Sequence, residues 1–306
     1  KNMASAFDYS TSNINLPTNP VDFSAYLAEL IQINNGTLNI DIDPDSYIFT
    51  VHSAIVNLSS LNNLHLDGLN LTGSKKSLIN NSTLNVDIDS NLDLLNTTGN
   101  KLYRDLDIFS TSVTINSGIT VSGTEDNQAA IAQAPGAYTD LKNNGIINLS
   151  GKNAIGIYGQ LGTSENNGTI NLENGIGMYT EVDSYVRNDT TNTSAINIGS
   201  NGIGIYGKTG EESILTITNS GTIIGTGNNP TGIYINNNGL SATADMTLSP
   251  SSNIDMRNST NGIGIYTNNT NIAGTGAGTI TVGENGVGVY ANNGTATFPN
   301  IKPVWR

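Results

Sequence analysis

Asn201-Gly202-Ile203-Gly204-Ile205-Tyr206 is the unit from which this chain is built, because close copies of it return through the C-terminal half. The copies end at Tyr158, Tyr179, Tyr206, Tyr234, Tyr266 and Tyr290, in steps of 21, 27, 28, 32 and 24 residues. In each copy the residue two before the Tyr is Gly, and the residue just before it is Ile, Met or Val. A strict core with irregular spacing is the pattern of stacked coils joined by connections of variable length.

Each Tyr segment has a partner upstream. Gly145-Ile-Ile-Asn-Leu149, Gly168-Thr-Ile-Asn-Leu172, Ser194-Ala-Ile-Asn-Ile198, Ser252-Asn-Ile-Asp-Met256 and Gly278-Thr-Ile-Thr-Val282 match one another, with Gly221-Thr-Ile-Ile-Gly225 a looser copy. The interval from this segment to the following Tyr is nearly constant, whereas the interval from the Tyr to the next copy varies. Further β-prone runs, such as Ile214-Leu-Thr-Ile-Thr218 and Ala242-Thr-Ala-Asp-Met-Thr-Leu248, lie in the longer gaps. Three short strands per turn and about 20–30 residues per coil predict an all-β parallel β-helix, a solenoid.

Alternation assigns the faces, since side chains two apart share one. Ile203 and Ile205 are expected inside, with Gly202, Gly204 and Tyr206 outside. Likewise Ile170 and Leu172 are expected inside, and Thr169 and Asn171 outside. Coils stacked about 4.8 Å apart would then bury a narrow, continuous aliphatic core. The Asn-Gly pairs at 144–145, 167–168, 174–175, 201–202, 261–262 and 285–286 fit corners, because both residues tolerate positive φ.

Composition agrees with a thin, elongated core: of 306 residues, 36% are hydrophobic and 6% aromatic. There are no cysteines, so this is not a disulfide scaffold. A net charge of −13, from 25 acids against 12 bases, disfavours nucleic acid and anionic membrane as partners. No apolar run approaches the roughly 18 residues of a membrane helix, and no basic and apolar leader opens the chain. Membrane insertion by this segment is not expected, and any signal or anchor is expected outside it.

Residues 1–33 read as an extended lead-in and an N-terminal cap. Phe23, Leu27, Leu30 and Ile31 follow helical spacing after Asn19-Pro20, which predicts a short capping helix over residues 21–32, with an irregular strand as the alternative. Residues 34–141 carry irregular coils, in which Gly36-Thr-Leu-Asn-Ile-Asp-Ile-Asp43 and Ser82-Thr-Leu-Asn-Val-Asp-Ile-Asp89 match each other. Residues 142–306 carry the regular Gly-Ile-Tyr coils, which are expected to continue beyond the chain.

Asn143-Asn-Gly-Ile-Ile-Asn-Leu-Ser-Gly151, followed by Asn153-Ala-Ile-Gly-Ile-Tyr158, resembles the passenger domains of the large fusobacterial type V autotransporter adhesins. The resemblance is good over residues 115–290 and looser before them. It implies a right-handed β-helical stalk, a monomeric passenger exported by type V secretion through an outer-membrane barrel outside this chain. It further implies a bacterial cell-surface, extracellular location and a role in virulence and cell adhesion. The implied partners are a host-cell surface receptor or glycan, or other bacteria through coaggregation. No catalytic motif carries over from it, so no cofactor and no enzymatic activity are expected.

Polysaccharide depolymerases share this architecture, and a secreted depolymerase is the alternative function; a pure spacer segment of an adhesin is another. His52 and His65 read as strand residues, without a Ser or Cys elbow beside them. The pairs Asp41/Asp43 and Asp87/Asp89 read as a solvated acidic stripe, with a glycosidase pair as the sharper alternative. Asp45 and Asn91 could add oxygens for calcium, yet neither site has the Gly and terminal Glu of an EF-hand loop. Catalytic residues and metal ligands are therefore assigned to none.

Tyr158, Tyr179, Tyr206, Tyr234, Tyr266 and Tyr290 are the candidate ligand contacts. A ridge of rings beside a shelf of glycines would stack on sugars. Alternatively, each ring covers the adjacent Gly and stacks on its neighbours, holding register. Recognition is expected in the variable gaps, read as loops at Gln160–Asn166, Thr180–Thr193, Gly207–Glu212 and Tyr234–Ser241.

Overall fold

The computed structural model describes residues 111–298 except 125, 134–138, 183–186 and 238–242, with the backbone of short strands at 13–14, 36–41, 61–67, 85–88, 92–93 and 302–305. The chain winds as an all-β parallel solenoid of about six turns. One full turn runs Thr139–Asn143, Ile146–Leu149 and Ala154–Gly159, one strand in each of three sheets. The next strand, Gly162–Asn166, lands beside Thr139–Asn143 and pairs with it in parallel. Repetition of this step builds sheets of eleven, nine and seven strands, called here first, second and third. A single coil leaves its backbone N–H and C=O groups unpaired along the axis, and only the coils above and below satisfy them.

The register is the repeat read from the sequence. Ile147, Ile170, Ile196, Ile223, Ile254 and Ile280 are consecutive partners in the second sheet. All six are buried, and Leu149, Leu172 and Ile198 form a parallel buried file two residues on. Thr169 and Asn171 lie on the opposite, part-exposed face, as alternation requires. In the first sheet, Gly36–Asp41, Leu61–Asp67 and Asn85–Ile88 stack in order onto Thr111–Ile115.

The third sheet departs from simple alternation. Ile205 is fully buried, but Ile203 is only half-buried, and it is Gly204 that lies inward beside Ile205. A Cβ on Gly204 would point at the buried Ile223, at 2.5 Å from its Cγ2. The ladder pairs Ile203 and Ile205 with Thr231 and Ile233 and skips the Gly between them. Two consecutive residues therefore face the core, and the phase slips by one at the Gly in the five third-sheet strands from Ala154–Gly159 to Ile263–Asn268. The expectation that Ile203 points in and the glycines out is corrected: the glycine file is inside, where the third sheet presses on the second.

Corners divide by mechanism. Between the second and third sheets, Asn153, Asn201, Asn229, Asn261 and Asn285 have φ of 54–58°, the left-handed conformation that Asn tolerates. At the 144–145 and 167–168 corners neither residue has positive φ, so that part of the expectation fails. There, Gly is needed for close approach, since a Cβ on Gly168 would lie 2.0 Å from the carbonyl oxygen of Gly145.

Much of what read as gap loops is strand. Gly162–Asn166 and Arg187–Asn192 are first-sheet strands, and the third-sheet strands extend to Val182, Thr209 and Asn237. The sequence hid the two first-sheet strands because their inward positions are polar: Ser164, Asn166, Asn188, Thr190 and Asn192 are all buried. No helix occurs among the described residues; the capping helix expected over 21–32 lies outside them.

Candidate functional site

The phase slip at the glycine file brings two apolar rows together on the outer face of the third sheet. With Gly204 and Ile205 both inward, Ile203 and Tyr206 become successive outward residues. The Tyr row is a continuous column, because Tyr158, Tyr179, Tyr206, Tyr234, Tyr266 and Tyr290 are register partners in turn. Their ring centroids are 5.1, 5.0, 5.0, 4.6 and 5.3 Å apart, with interplanar angles of 13°, 33°, 49°, 23° and 37°. Each ring face is thus largely covered by the next ring, within the range where aromatic pairs attract. A ligand approaching from outside meets ring edges and hydroxyls, flanked by Ile155, Ile176, Ile203 and Ile263. Tyr290 ends the column and is 47% exposed. All six tyrosines are brought into one site; the glycine shelf proposed beside them is absent from that face.

A polar row borders the tyrosines on the other side. Gln160 donates from Nε2 to the Tyr158 hydroxyl at 2.8 Å, and the Tyr179 hydroxyl donates to Glu181 at 3.0 Å. Lys208, one coil on, pairs with the same carboxylate. Burial, the hydrogen bond to Glu181 and that carboxylate's charge together push the Tyr179 phenol well above its ordinary value. Burial opposes ionisation of Glu181, but hydrogen bonds from Lys208 and Tyr179 and the Lys208 charge outweigh it and hold the carboxyl below its usual range. The result is a hydroxyl-rich edge carrying a neutralised ion pair.

Asparagine ladders are the feature that the sequence reading did not single out. Asn143, Asn166, Asn192 and Asn219 are all 0% exposed and stack at the inner corner between the first and second sheets. Asn143 donates to Asn166, Asn166 to Asn192 and Asn192 to Asn219 at 2.8, 2.8 and 2.7 Å, and Asn219 donates to Ser252 Oγ at 2.7 Å. The signal was an Asn two residues before the Gly or Ser that opens four of the six second-sheet segments, at 143, 166, 192 and 219. On the outer face, Asn268 donates to Asn236 and Asn292 to Asn268 at 2.9 and 2.8 Å, extending the polar row beside the tyrosines.

Elsewhere, Asp255 is held below the usual carboxylate range by hydrogen bonds from Arg257, against the effect of burial. His65 occupies a first-sheet strand between Asn39 and Asp87. His52, Asp43, Asp45, Asp89 and Asn91 lie outside the described residues, as do the side chains of Asp41 and Asp87. Among the described residues, no group of three or more His, Cys, Asp or Glu converges, and no helix is long and apolar enough to cross a membrane. In comparisons with known proteins, no family, no curated protein and no solved structure matches this chain.

Proposed function

We propose that the chain is a segment of a bacterial cell-surface adhesin: a right-handed β-helical stalk, closed at its start by a helix over 21–32, that binds a host-cell receptor or glycan, or other bacteria, without catalysis. The observation that supports this reading is the Tyr column with its flanking isoleucines and Asn row. It is an aromatic, aliphatic and amide-bearing ridge, outward on a scaffold whose register fixes every side chain. Aromatic residues beside polar groups are the composition of recognition surfaces. The motif at 143–158 supplies the bacterial-surface context, with export through a barrel outside this chain.

The test is binding of the labelled 306-residue chain to epithelial cells and to bacteria, with simple sugars as competitors and the length of added polysaccharide followed. Saturable binding with polymer length unchanged is expected. Shortening of the polymer would replace this reading with a depolymerase, and neither binding nor shortening would leave a spacer.

A further inference from the structure

A groove of about 650 Å³ runs along the outer side of the second sheet, crossing five successive coils and thus lying parallel to the solenoid axis. At the ~4.8 Å spacing of adjacent strands it is about 19 Å long. Asn148, Asn171 and Asn197 form one wall, as register partners one coil apart, and Ile224 continues the same row. Ser150 and Glu173 also line the groove.

The amides of this wall are fixed before any ligand arrives. Asn171 donates from Nδ2 to Asn148 Oδ1, and Asn197 donates to Asn171 Oδ1, both at 2.7 Å. A carboxamide carries two N–H donors and an oxygen with two lone pairs. The ladder consumes one N–H and one lone pair at Asn171, so each rung retains a donor and an acceptor for the groove. These pairs repeat at the coil spacing, with rotamers already ordered, which lowers the entropic cost of binding.

The occupant must repeat along the axis at a similar step and offer hydroxyl or acetamido groups. An extended pyranose chain does both, and its C–H faces suit the Ile224 end. A peptide strand is not accommodated by edge pairing, because every second-sheet strand lining the groove from 146 to 228 is hydrogen-bonded on both sides. Glu173 in the wall and the net charge of −13 oppose a nucleic acid or an acidic polysaccharide. We propose that the groove binds about four consecutive units of an uncharged linear glycan. This deepens the adhesion reading and rests on it only for the source of the glycan.

The experiment is calorimetric titration of the full chain with chitopentaose, cellopentaose, maltopentaose and, as the acidic comparison, pentagalacturonate. At least one uncharged pentasaccharide is expected to bind, with its monosaccharide and pentagalacturonate failing to bind. The double variant N171L/N197L is expected to weaken that binding at least about ten-fold, the loss of roughly one good hydrogen bond. T216L, on the outer face of the first sheet, is expected to bind as the parent chain does. If N171L/N197L does not fold, S150W carries the same expectation, because it fills the groove and leaves the ladder intact. Binding of no uncharged pentasaccharide, preferential binding of pentagalacturonate, or full binding by the folded groove variants overturns the proposal. Cell binding by the same variants separates the two readings. Cells bound without the groove leave adhesion standing on another face, and pentasaccharide bound without cell attachment leaves the groove standing and removes adhesion.

Discussion

Gly204 lies directly beneath Gly232 of the next coil: a Cβ built on Gly204 would sit 2.5 Å from the Gly232 carbonyl oxygen, closer than real Cβ atoms approach. The same 2.5 Å contact recurs from Gly156 to Gly177, Gly177 to Gly204, Gly232 to Gly264 and Gly264 to Gly288. The obstructing atom is backbone, held by pairing on both sides, so relief requires moving the stack. Gly204→Ala is expected to destabilise the solenoid by about 2–4 kcal/mol, the range of overpacked cores and strained backbone. At Gly288, where an added Cβ meets nothing within 4 Å, the same substitution is expected to be near neutral. Urea unfolding midpoints of the two variants check this, and equal midpoints would remove the close approach as the reason for the glycine file.

Asn192 sits in the middle of the buried ladder, accepting from Asn166 and donating to Asn219. Asn192→Ala would leave the Asn166 N–H and the Asn219 oxygen without their ladder partners in a site closed to water. The expected cost is about 2–4 kcal/mol, the penalty for two unsatisfied buried groups. Asn148→Ala, at the solvent-facing end of the outer ladder, is expected to cost less than about 1 kcal/mol, because water replaces the lost partner. Comparison of the two denaturation midpoints is the measurement, and a larger loss at Asn148 would contradict it.

The parallel solenoid, the second-sheet register and the stacking of the six tyrosines were legible because aliphatic alternation and Tyr spacing are strong, local signals. Two kinds of feature escaped. Gly162–Asn166 and Arg187–Asn192 looked like loops, since hydropathy periodicity cannot reveal a strand whose buried side chains are Ser, Thr and Asn. Asn166 and Asn192 are tolerated inside because adjacent coils supply partners, at 2.8 Å between them and 2.7 Å from Asn192 to Asn219. Thr190 meets Thr180 of the preceding strand at 2.6 Å through their hydroxyls, whereas Ser164 Oγ and Asn188 Nδ2 are buried without a partner. The faces of Ile203 and Gly204 were misassigned because period-two reading assumes an unbroken pleat. At the slip Gly204 faces Ile223, two strands further along the chain, a proximity that sequence spacing does not show. The groove of the second sheet escaped for a similar reason: Asn148, Asn171 and Asn197 become a wall only once register stacks them.

Tyr206 has a ring neighbour on either side, Tyr179 and Tyr234, each with centroids 5.0 Å away. Aromatic pairs contribute about 0.5–1.5 kcal/mol each beyond area burial. Tyr206→Ala is therefore expected to cost about 2–3 kcal/mol by urea denaturation. Tyr290→Ala is expected to cost about 1 kcal/mol, since that ring ends the column and is 47% exposed. Indistinguishable losses at the two positions would mean that stacking between coils does not hold the register.

The cluster of Tyr179, Glu181 and Lys208 sets the pH range of stability from both sides. Glu181 has a folded pKa below its unfolded value of about 4.3. Its contribution is complete above that value and is lost as pH falls through the folded one. The Tyr179 phenol is shifted the other way, above an unfolded value of about 10, and burial and neighbouring rings also raise Tyr234. Their contribution is complete below pH of about 10 and is lost as pH rises beyond it, because the unfolded chain then sheds protons that the folded chain retains. The melting temperature should accordingly be flat between about pH 5 and 10 with a fall on each side. Lys208→Met removes the leading interaction that lowers Glu181, so the acid fall should shrink while the alkaline fall persists. The Tyr179 phenol, read as the absorbance difference between the parent chain and Tyr179→Phe, should ionise later than free tyrosine until the alkaline unfolding begins. An acid limb unchanged in Lys208→Met, or a Tyr179 phenol that ionises near pH of about 10 while the coils are intact, would show that the cluster does not govern the profile.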